Sequence, residues 1–392
     1  MVAVNAALWA HPWDLVDEGP AAAADRLADL GVGAVNVATV CHGVQTLNPH
    51  NPERKTFFAD ASAYFQPDHD RYGAIAPPPN DEMGEDDWLA TVAGALDGHE
   101  VDLNAWLTPF HSSVLGKRHP EATMVNAFGD DLRFGLCPSN PAVREYGVAL
   151  CEDLAARDWF DRIEVELADY QYGTGYGWHH QEFFTDLGQL GEFLFGVCFC
   201  EHCTGAAERA GVDAGRARES VRDALEAVFD GDLDPDLDPG GWLREHPHVG
   251  AYLDVRESTL GDLFERFADA TGDAEFVYYL KYGGLGDDRM GVEHSWKHGI
   301  DLGALSAAAD AVTVLAYHPD PAVVEHDVVN ARTLTDTRVE AGLLAGHPVV
   351  RDEATLRSQV ERLADLGVGR VSFYGYGVVR ERNLEWIGRA LP

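Results

Sequence analysis

The stretch RLADLGVGAVNV at residues 26–37 reads as the end of an amphipathic helix, a glycine stop, and then a β-branched apolar run. Its first eight residues recur unchanged as RLADLGVG at 362–369, where RVSF follows. A helix that hands over directly to a buried strand, used near both ends of the chain, is the joint from which parallel α/β folds are built. Outward from these two joints, short apolar runs bounded by turn residues occur at 3–9, 33–40, 101–108, 162–168, 275–281, 311–317, 338–344 and 369–375. Helical patterns lie between them at 20–30, 85–96, 141–157, 257–271, 302–309 and 353–366, with a last one at 382–390. Eight strands alternating with helices predict an α/β fold, a (β/α)8 TIM barrel, as one domain over 1–392. The rival is a doubly wound open sheet, but no glycine-rich phosphate turn follows the first strand.

Two connections are too long to be simple turns. Residues 41–84, after strand two, are rich in Pro, Asn and His and read as a loop-like insert. Residues 170–256, after strand four, form a second insert that carries a cysteine cluster. Its stretch DGDLDPDLDPGG at 230–241 alternates Asp like a calcium loop, but Gly241 stands where the bidentate Glu belongs, so it reads as a solvated acidic loop.

The chain has 392 residues, 46% of them hydrophobic, enough for a large core. It carries 66 acidic against 29 basic residues, a formal net charge of −37, and its only lysines are Lys55, Lys117, Lys281 and Lys297. Acid excess spread along the whole chain resembles the surface of proteins from salt-accumulating halophiles, where salt screens the self-repulsion. No basic stripe exists to neutralise phosphates, so nucleic acid is not an expected partner. The N-terminal MVAVNAALWAHPWD lacks a positively charged leader, and no run of apolar residues is long enough for a membrane span. A cytoplasmic location is expected, where clustered cysteines hold metal more often than they form disulfides.

Three of the six cysteines fall in GVCFCEHCTG at 196–205. A tetrahedral structural zinc needs four ligands. Cys151 lies in a helical pattern and reads as core, and Cys41 ends strand two. Cys137, in the turn FGLCPSNPAVREY, lies beside the loops of strand four. Cys137, Cys198, Cys200 and Cys203 are therefore the expected Zn2+ ligands.

The pairing of RFGLCPSNPAVREY at 133–146 with CFCEHC at 198–203, on either side of an acidic strand four, resembles glycoside hydrolase family 42, the zinc-containing β-galactosidases. The resemblance implies a barrel glycosidase with a structural zinc, assembled as a homo-oligomer, a trimer. It implies a substrate contact at Arg133, four residues before Cys137, and a catalytic acid/base Glu ending strand four. Strand four here reads IEVELADYQYG and lacks the Asn that precedes that Glu in the family, so the chain reads as a distant relative.

Alternation places Glu164 and Glu166 on one face of strand four and Val165 and Leu167 on the other. With the apolar pair against helices, both carboxylates point into the barrel. Glu166, nearer the C-terminal end where barrel enzymes keep their active sites, suits a general acid for glycosidic cleavage. The alternative is a lumenal ion pair with Lys281 or Arg133. Hydrolysis requires a second carboxylate, and Asp320 or Asp169 is the expected one. His11, His42, His111, His318 and His347 sit at the ends of strands one, two, three, six and seven and would line one mouth, with Glu164, Lys281 and Tyr374. The run YQYGTGYGWHH at 170–180, with Trp178 and His180, is too polar and glycine-rich for core and reads as a binding loop for carbohydrate. The expected function is a carbohydrate-active enzyme, a glycoside hydrolase acting on a glycoside through paired carboxylates. The alternatives are a metal-dependent sugar isomerase, epimerase or hydrolase that uses the mouth histidines, and a non-catalytic sugar-binding barrel.

Overall fold

A computed structural model of the chain describes residues 4–171, 185–280 and 291–391. Eight parallel strands close into a barrel: β1 (Asn5–Ala10), β2 (Ala34–Cys41), β3 (Asp102–Leu107), β4 (Arg162–Val165), β5 (Glu275–Leu280), β6 (Ala311–Leu315), β7 (Arg338–Leu344) and β8 (Arg370–Tyr374). The repeated octapeptide is where the barrel closes. In both copies the glycine after the helix, Gly31 and Gly367, is left-handed at φ +73°. The hydrogen bonds match as well: Gly31 N–H to Ala28 O and Val32 N–H to Leu27 O, against Gly367 N–H to Ala364 O and Val368 N–H to Leu363 O, all 2.9 Å. This is the paired-bond helix stop that glycine permits because it has no Cβ. The strands that leave the two joints then flank β1. Gly33 N–H donates to Ala6 O at 3.0 Å, and Asn5 N–H donates to Gly369 O at 2.9 Å.

Side chains alternate between two environments. Leu8, Val35, Val37, Ile163, Val165, Phe276 and Tyr278 pack outward in the large core shared with the helices. Trp9, Trp106, Val277 and Tyr279 point into the barrel, in a separate aromatic cluster. A Cβ on Gly342 would come within 2.8 Å of the Trp9 ring, so its absence lets that indole lie across β7.

The helices Pro20–Asp29, Trp88–Leu96, Pro141–Ala155, Leu302–Ala308, Glu353–Asp365 and Glu381–Ala390 stand where the periodicity put them. The helix expected at 257–271 begins earlier, at Pro247, and runs to Ala270. The helix Pro321–Leu334 was not expected, because its paired valines blur the helical period; its start was nonetheless written in Asp320 and Pro321. Residues 41–84 are not featureless either. Val44–Leu47 and Thr56–Ala59 form an antiparallel hairpin, and Ser62–Ala63 adds antiparallel to β2. This insert is fastened to the helix Pro12–Glu18 by Asn48 to Asp14, Asn51 to Asp17, and the Arg54–Asp17 ion pair. From residue 185 the second insert is helical, with Gly188–Phe195, Glu201–Arg209, Ala214–Asp230 and Pro239–Glu245 leading into the helix at Pro247. Among the described residues no helix is long and apolar enough to cross a membrane.

Candidate active site

The C-terminal mouth of the barrel is built around Glu166. Its N–H donates to Leu107 O at 2.9 Å, continuing the β3–β4 ladder one residue past the strand. The next residue, Leu167, adopts a left-handed backbone at φ +58°, a costly state for a bulky side chain and one that clusters at functional sites. Trp106 Nε1–H donates to Glu166 Oε2 at 2.9 Å. Trp106 stands edge-on to Tyr374 at 6.3 Å, and Tyr374 lies 6.4 Å from Tyr317. Burial, then the Glu166 charge, push the Tyr317 hydroxyl well above the ordinary phenol range. Only 8% of Glu166 is exposed: enough contact with the mouth to meet a ligand, too little for full hydration.

Glu164 also points inward, one layer deeper, and is committed to structure there. Its Oε2 accepts from the Tyr279 hydroxyl, which accepts in turn from Trp9 Nε1 at 2.6 Å. Its Oε1 lies 3.4 Å from Arg162 Nε, and Arg162 also holds Glu340 at 2.8 Å. The expected lumenal ion pair therefore exists, but Arg162 is the cation, supplied from the start of the same strand. Arg133, expected there or at the substrate, is 56% exposed and has only a loose pairing with Asp131 at 3.9 Å. Lys281, Trp178 and His180 lie outside the described residues.

Three of the histidines gather at the ends of β1, β2 and β3. The His42 and His111 rings are 5.0 Å apart, and His42 contributes to holding the His11 pKa down, at about 3, after burial. His11 is neutral at any ordinary pH, stacked on Trp13 at 4.2 Å, with its Nε2 buried and unpartnered. His318, at the end of β6, accepts from the Asp320 N–H through Nδ1 at 3.0 Å. Among the described residues, the four cysteines are the single group of three or more His, Cys, Asp or Glu ligand atoms close enough to share a metal.

Neither carboxylate expected to partner Glu166 occupies the mouth in a free state. Asp320 is exposed and caps the helix Pro321–Leu334, accepting from Ala322 N–H at 2.9 Å. Asp169 has turned outward between barrel and helices, where the outward-facing Tyr278 donates to it at 2.6 Å and His298 lies 3.3 Å away. Asp169 shares the parity of Val165 and Leu167, so alternation along the strand already directs it away from the Glu166 face.

One buried acidic residue near the mouth was not among the expected site residues. Asp14, in HPWD just past β1, is buried and accepts from Asn48 Nδ2, while its Oδ2 has no partner. Gly377 packs so closely that a Cβ there would come within 2.1 Å of the carboxylate. Burial, with Asp17 adding, raises its pKa to about 7 against the Asn48 and backbone hydrogen bonds. In the sequence it stands in HPWD, four residues past the end of β1 and in the first turn of the helix Pro12–Glu18. From about pH 4 to about pH 7 the unfolded chain gives up this proton while the folded chain keeps it, so stability falls as pH rises. The loss totals about 4 kcal/mol by pH 8. Asp14→Asn is therefore expected to melt above the wild type at pH 8, with the gap closing toward pH 4. Thermal melts at the two pH values check this, and an equal gap at both would show that Asp14 is not the titrating group.

The four cysteines form a second centre, beside the antiparallel hairpin of Thr123–Val125 and Asp131–Leu136. All are buried and reduced, with every sulfur within 4.8 Å of the others. Cys137 Sγ lies 3.4, 3.5 and 3.7 Å from the sulfurs of Cys203, Cys200 and Cys198. Disulfides require about 2.05 Å, whereas four sulfurs at about 2.3 Å around a tetrahedral metal stand about 3.8 Å apart. Val125 N–H and Cys200 N–H both point at Cys198 Sγ, at 3.3 and 3.5 Å, as donors to a thiolate do. The donor set and its spacing fit a metal ion. The cluster joins the hairpin that precedes Cys137 to the second insert, a join extended by Phe199 N–H to Val125 O at 2.6 Å. Gly116 makes room for that hairpin, since a Cβ there would sit 2.0 Å from Arg133 O. Gly116→Ala should cost about 1–3 kcal/mol, read as a lowered denaturant midpoint; an unchanged midpoint would show that the contact is not tight.

No protein-family model matches the chain, and no curated protein does. Solved structures do. The chain is similar to the glycoside hydrolase domain of PgaB (BpsB) from Bordetella bronchiseptica, with 16% identity, a TM-score of 0.61 and 99% of each chain covered. It is similar to a polyextremophilic β-galactosidase from the Antarctic haloarchaeon Halorubrum lacusprofundi, with 13% identity, a TM-score of 0.60, and 99% of this chain and 57% of that one covered. It is also similar to the catalytic domain of a β-amylase from Paenibacillus polymyxa, with 12% identity, a TM-score of 0.59, and 100% and 98% covered. At these identities the likeness is one of fold, and it agrees with the closed barrel described above.

Proposed function

We propose that this chain is a carbohydrate-active barrel enzyme, a glycoside hydrolase, with Glu166 as its acid/base. The observation that carries the reading is Glu166 itself: a nearly buried carboxylate at the C-terminal mouth, oriented by Trp106, beside a strained backbone and ringed by Tyr317 and Tyr374. A carboxyl so placed can protonate a glycosidic oxygen, while aromatic faces receive the C–H faces of a sugar. His11, His42, His111, His318 and Tyr374 would contact its hydroxyls. That the similar solved structures carry glycosidase names supports the same reading. The cysteine cluster would hold a structural Zn2+, which four buried thiolates favour. The acidic surface fits a protein that works inside a salt-accumulating cell.

The test is turnover of a panel of aryl α- and β-glycosides in molar KCl. Release of the aryl group from any member supports the proposal, and silence across the panel counts against it. A second reading, a non-catalytic sugar-binding barrel, is favoured by one observation: Asp169 and Asp320 are both held elsewhere, so the partner carboxylate is not filled by either. Sugar binding without turnover would identify that case.

A further inference from the structure

Arg256 lies in the apolar stripe of the helix Pro247–Ala270, between Tyr252 and Leu260, and is 3% exposed. None of its three guanidinium nitrogens has a hydrogen-bond partner. Among the described residues no carboxylate pairs with it. An arginine keeps its charge in any protein environment, so a buried guanidinium without a counter-charge is a costly arrangement. Its guanidinium lies over the face of Tyr170, 4.1 Å from the ring centroid.

The surroundings show where the missing negative charge belongs. Tyr170 is wedged in place: its ring lies against Gly299, where a Cβ would approach to 2.8 Å, and its hydroxyl bonds Ser139 Oγ at 2.6 Å, two residues past Cys137. Tyr252, one helical turn before Arg256, donates to Cys198 O at 2.7 Å. The guanidinium thus stacks on a ring whose hydroxyl reaches the segment of Cys137, and stands one helical turn from a tyrosine bonded to the segment of Cys198. Glu257, the next residue on the helix, makes no ion pair with it; burial, then Asp254 and Asp301, raise the Glu257 carboxyl despite the nearby guanidinium. Four thiolates around a divalent metal leave a net charge of −2. Four protonated thiols leave none.

We propose that Arg256 is the buried counter-cation of a metal-loaded cluster formed by Cys137, Cys198, Cys200 and Cys203, a positioning residue that stabilises the tetrathiolate site through its charge. The inference rests on the metal occupancy proposed above and adds what the chain supplies to retain the ion. Loss of a group just outside the ligands typically weakens metal affinity about 10- to 100-fold.

The experiment compares the zinc-loaded wild type with Arg256→Met, which keeps the stem and its packing, and with Arg256→Lys, which keeps the charge. Zinc released to a chromogenic chelator is followed in time, and thermal melts are recorded with metal and after stripping. Arg256→Met should bind zinc about 10- to 100-fold more weakly, while Arg256→Lys should stay close to wild type. Arg256→Met should lower the melting temperature of the loaded protein but not of the stripped one, where the uncompensated cation is no longer an asset. Equal zinc retention in Arg256→Met, or equal destabilisation with and without metal, would overturn the proposal and leave Arg256 as a packing residue. If Arg256→Met is not recovered folded, Arg256→Lys decides: retention of zinc supports the role of charge, and loss of zinc refutes it. A wild-type protein that carries no metal would instead sink the zinc reading itself, so the two failures are told apart.

Discussion

Glu166→Gln is expected to lower the turnover of any glycoside that this protein hydrolyses by about 10²- to 10⁴-fold, the usual contribution of a positioned proton donor. Gln fills the same space and can still accept the Trp106 N–H, so the barrel should fold and bind sugar as before. What it cannot do is give a proton to the leaving oxygen. The loss should therefore appear in kcat, with KM changed little. Aryl glycosides with good leaving groups need less protonation and should be hurt least, so the defect should grow as the leaving group becomes more basic. Equal turnover by wild type and Glu166→Gln would place the acid/base elsewhere. Glu164→Gln separates the two lumenal carboxylates: it removes the charge that faces Arg162 and so should reduce stability before it alters chemistry.

Loss of the metal centre should have the second largest effect, and on stability. Cys203→Ser leaves three sulfurs of a set whose fourth member lies 3.4 Å from Cys137. Structural zinc sites contribute their binding free energy to folding. Losing about 5 kcal/mol of it should lower the melting temperature by about 6 °C. Stripping the wild type with a chelator should reproduce the loss, and restored zinc should reverse it in the wild type but not in Cys203→Ser. Metal content and thermal melts read this directly. A stripped wild type that melts where the loaded one does would sink the structural role. Because the cluster joins the hairpin at 123–136 to the second insert, proteolytic cleavage should concentrate on those segments when metal is lost.

The closed barrel and its strands were legible in the sequence because they depend on local periodicity. Gly31 and Gly367 stop two helices in the same way, and the apolar runs after them can only be buried strands. Alternation on β4 was enough to direct both Glu164 and Glu166 inward, and ligand spacing was enough to gather the four cysteines, two of them 61 residues apart in the chain. What each inward carboxylate does depended on side chains brought from distant strands. Arg162 and Tyr279 commit Glu164 to structure, while Trp106 leaves Glu166 one oxygen at the mouth. Asp169 follows strand four in sequence, yet it bonds the outward-facing Tyr278, as its shared parity with Val165 predicts, and the left-handed backbone at Leu167 is a state that no periodicity announces. Asp14 and Arg256 look like ordinary surface charges in the sequence. Only tertiary packing buries them, and burial without a counter-charge is what raises the pKa of one and points the other toward a tetrathiolate site. Local pattern determined where the strands, the inward-facing residues and the thiols lie; the electrostatic role of each buried charge was decided by neighbours that only the closed barrel assembles, because charge interactions depend on distance and solvent exclusion rather than on order along the chain.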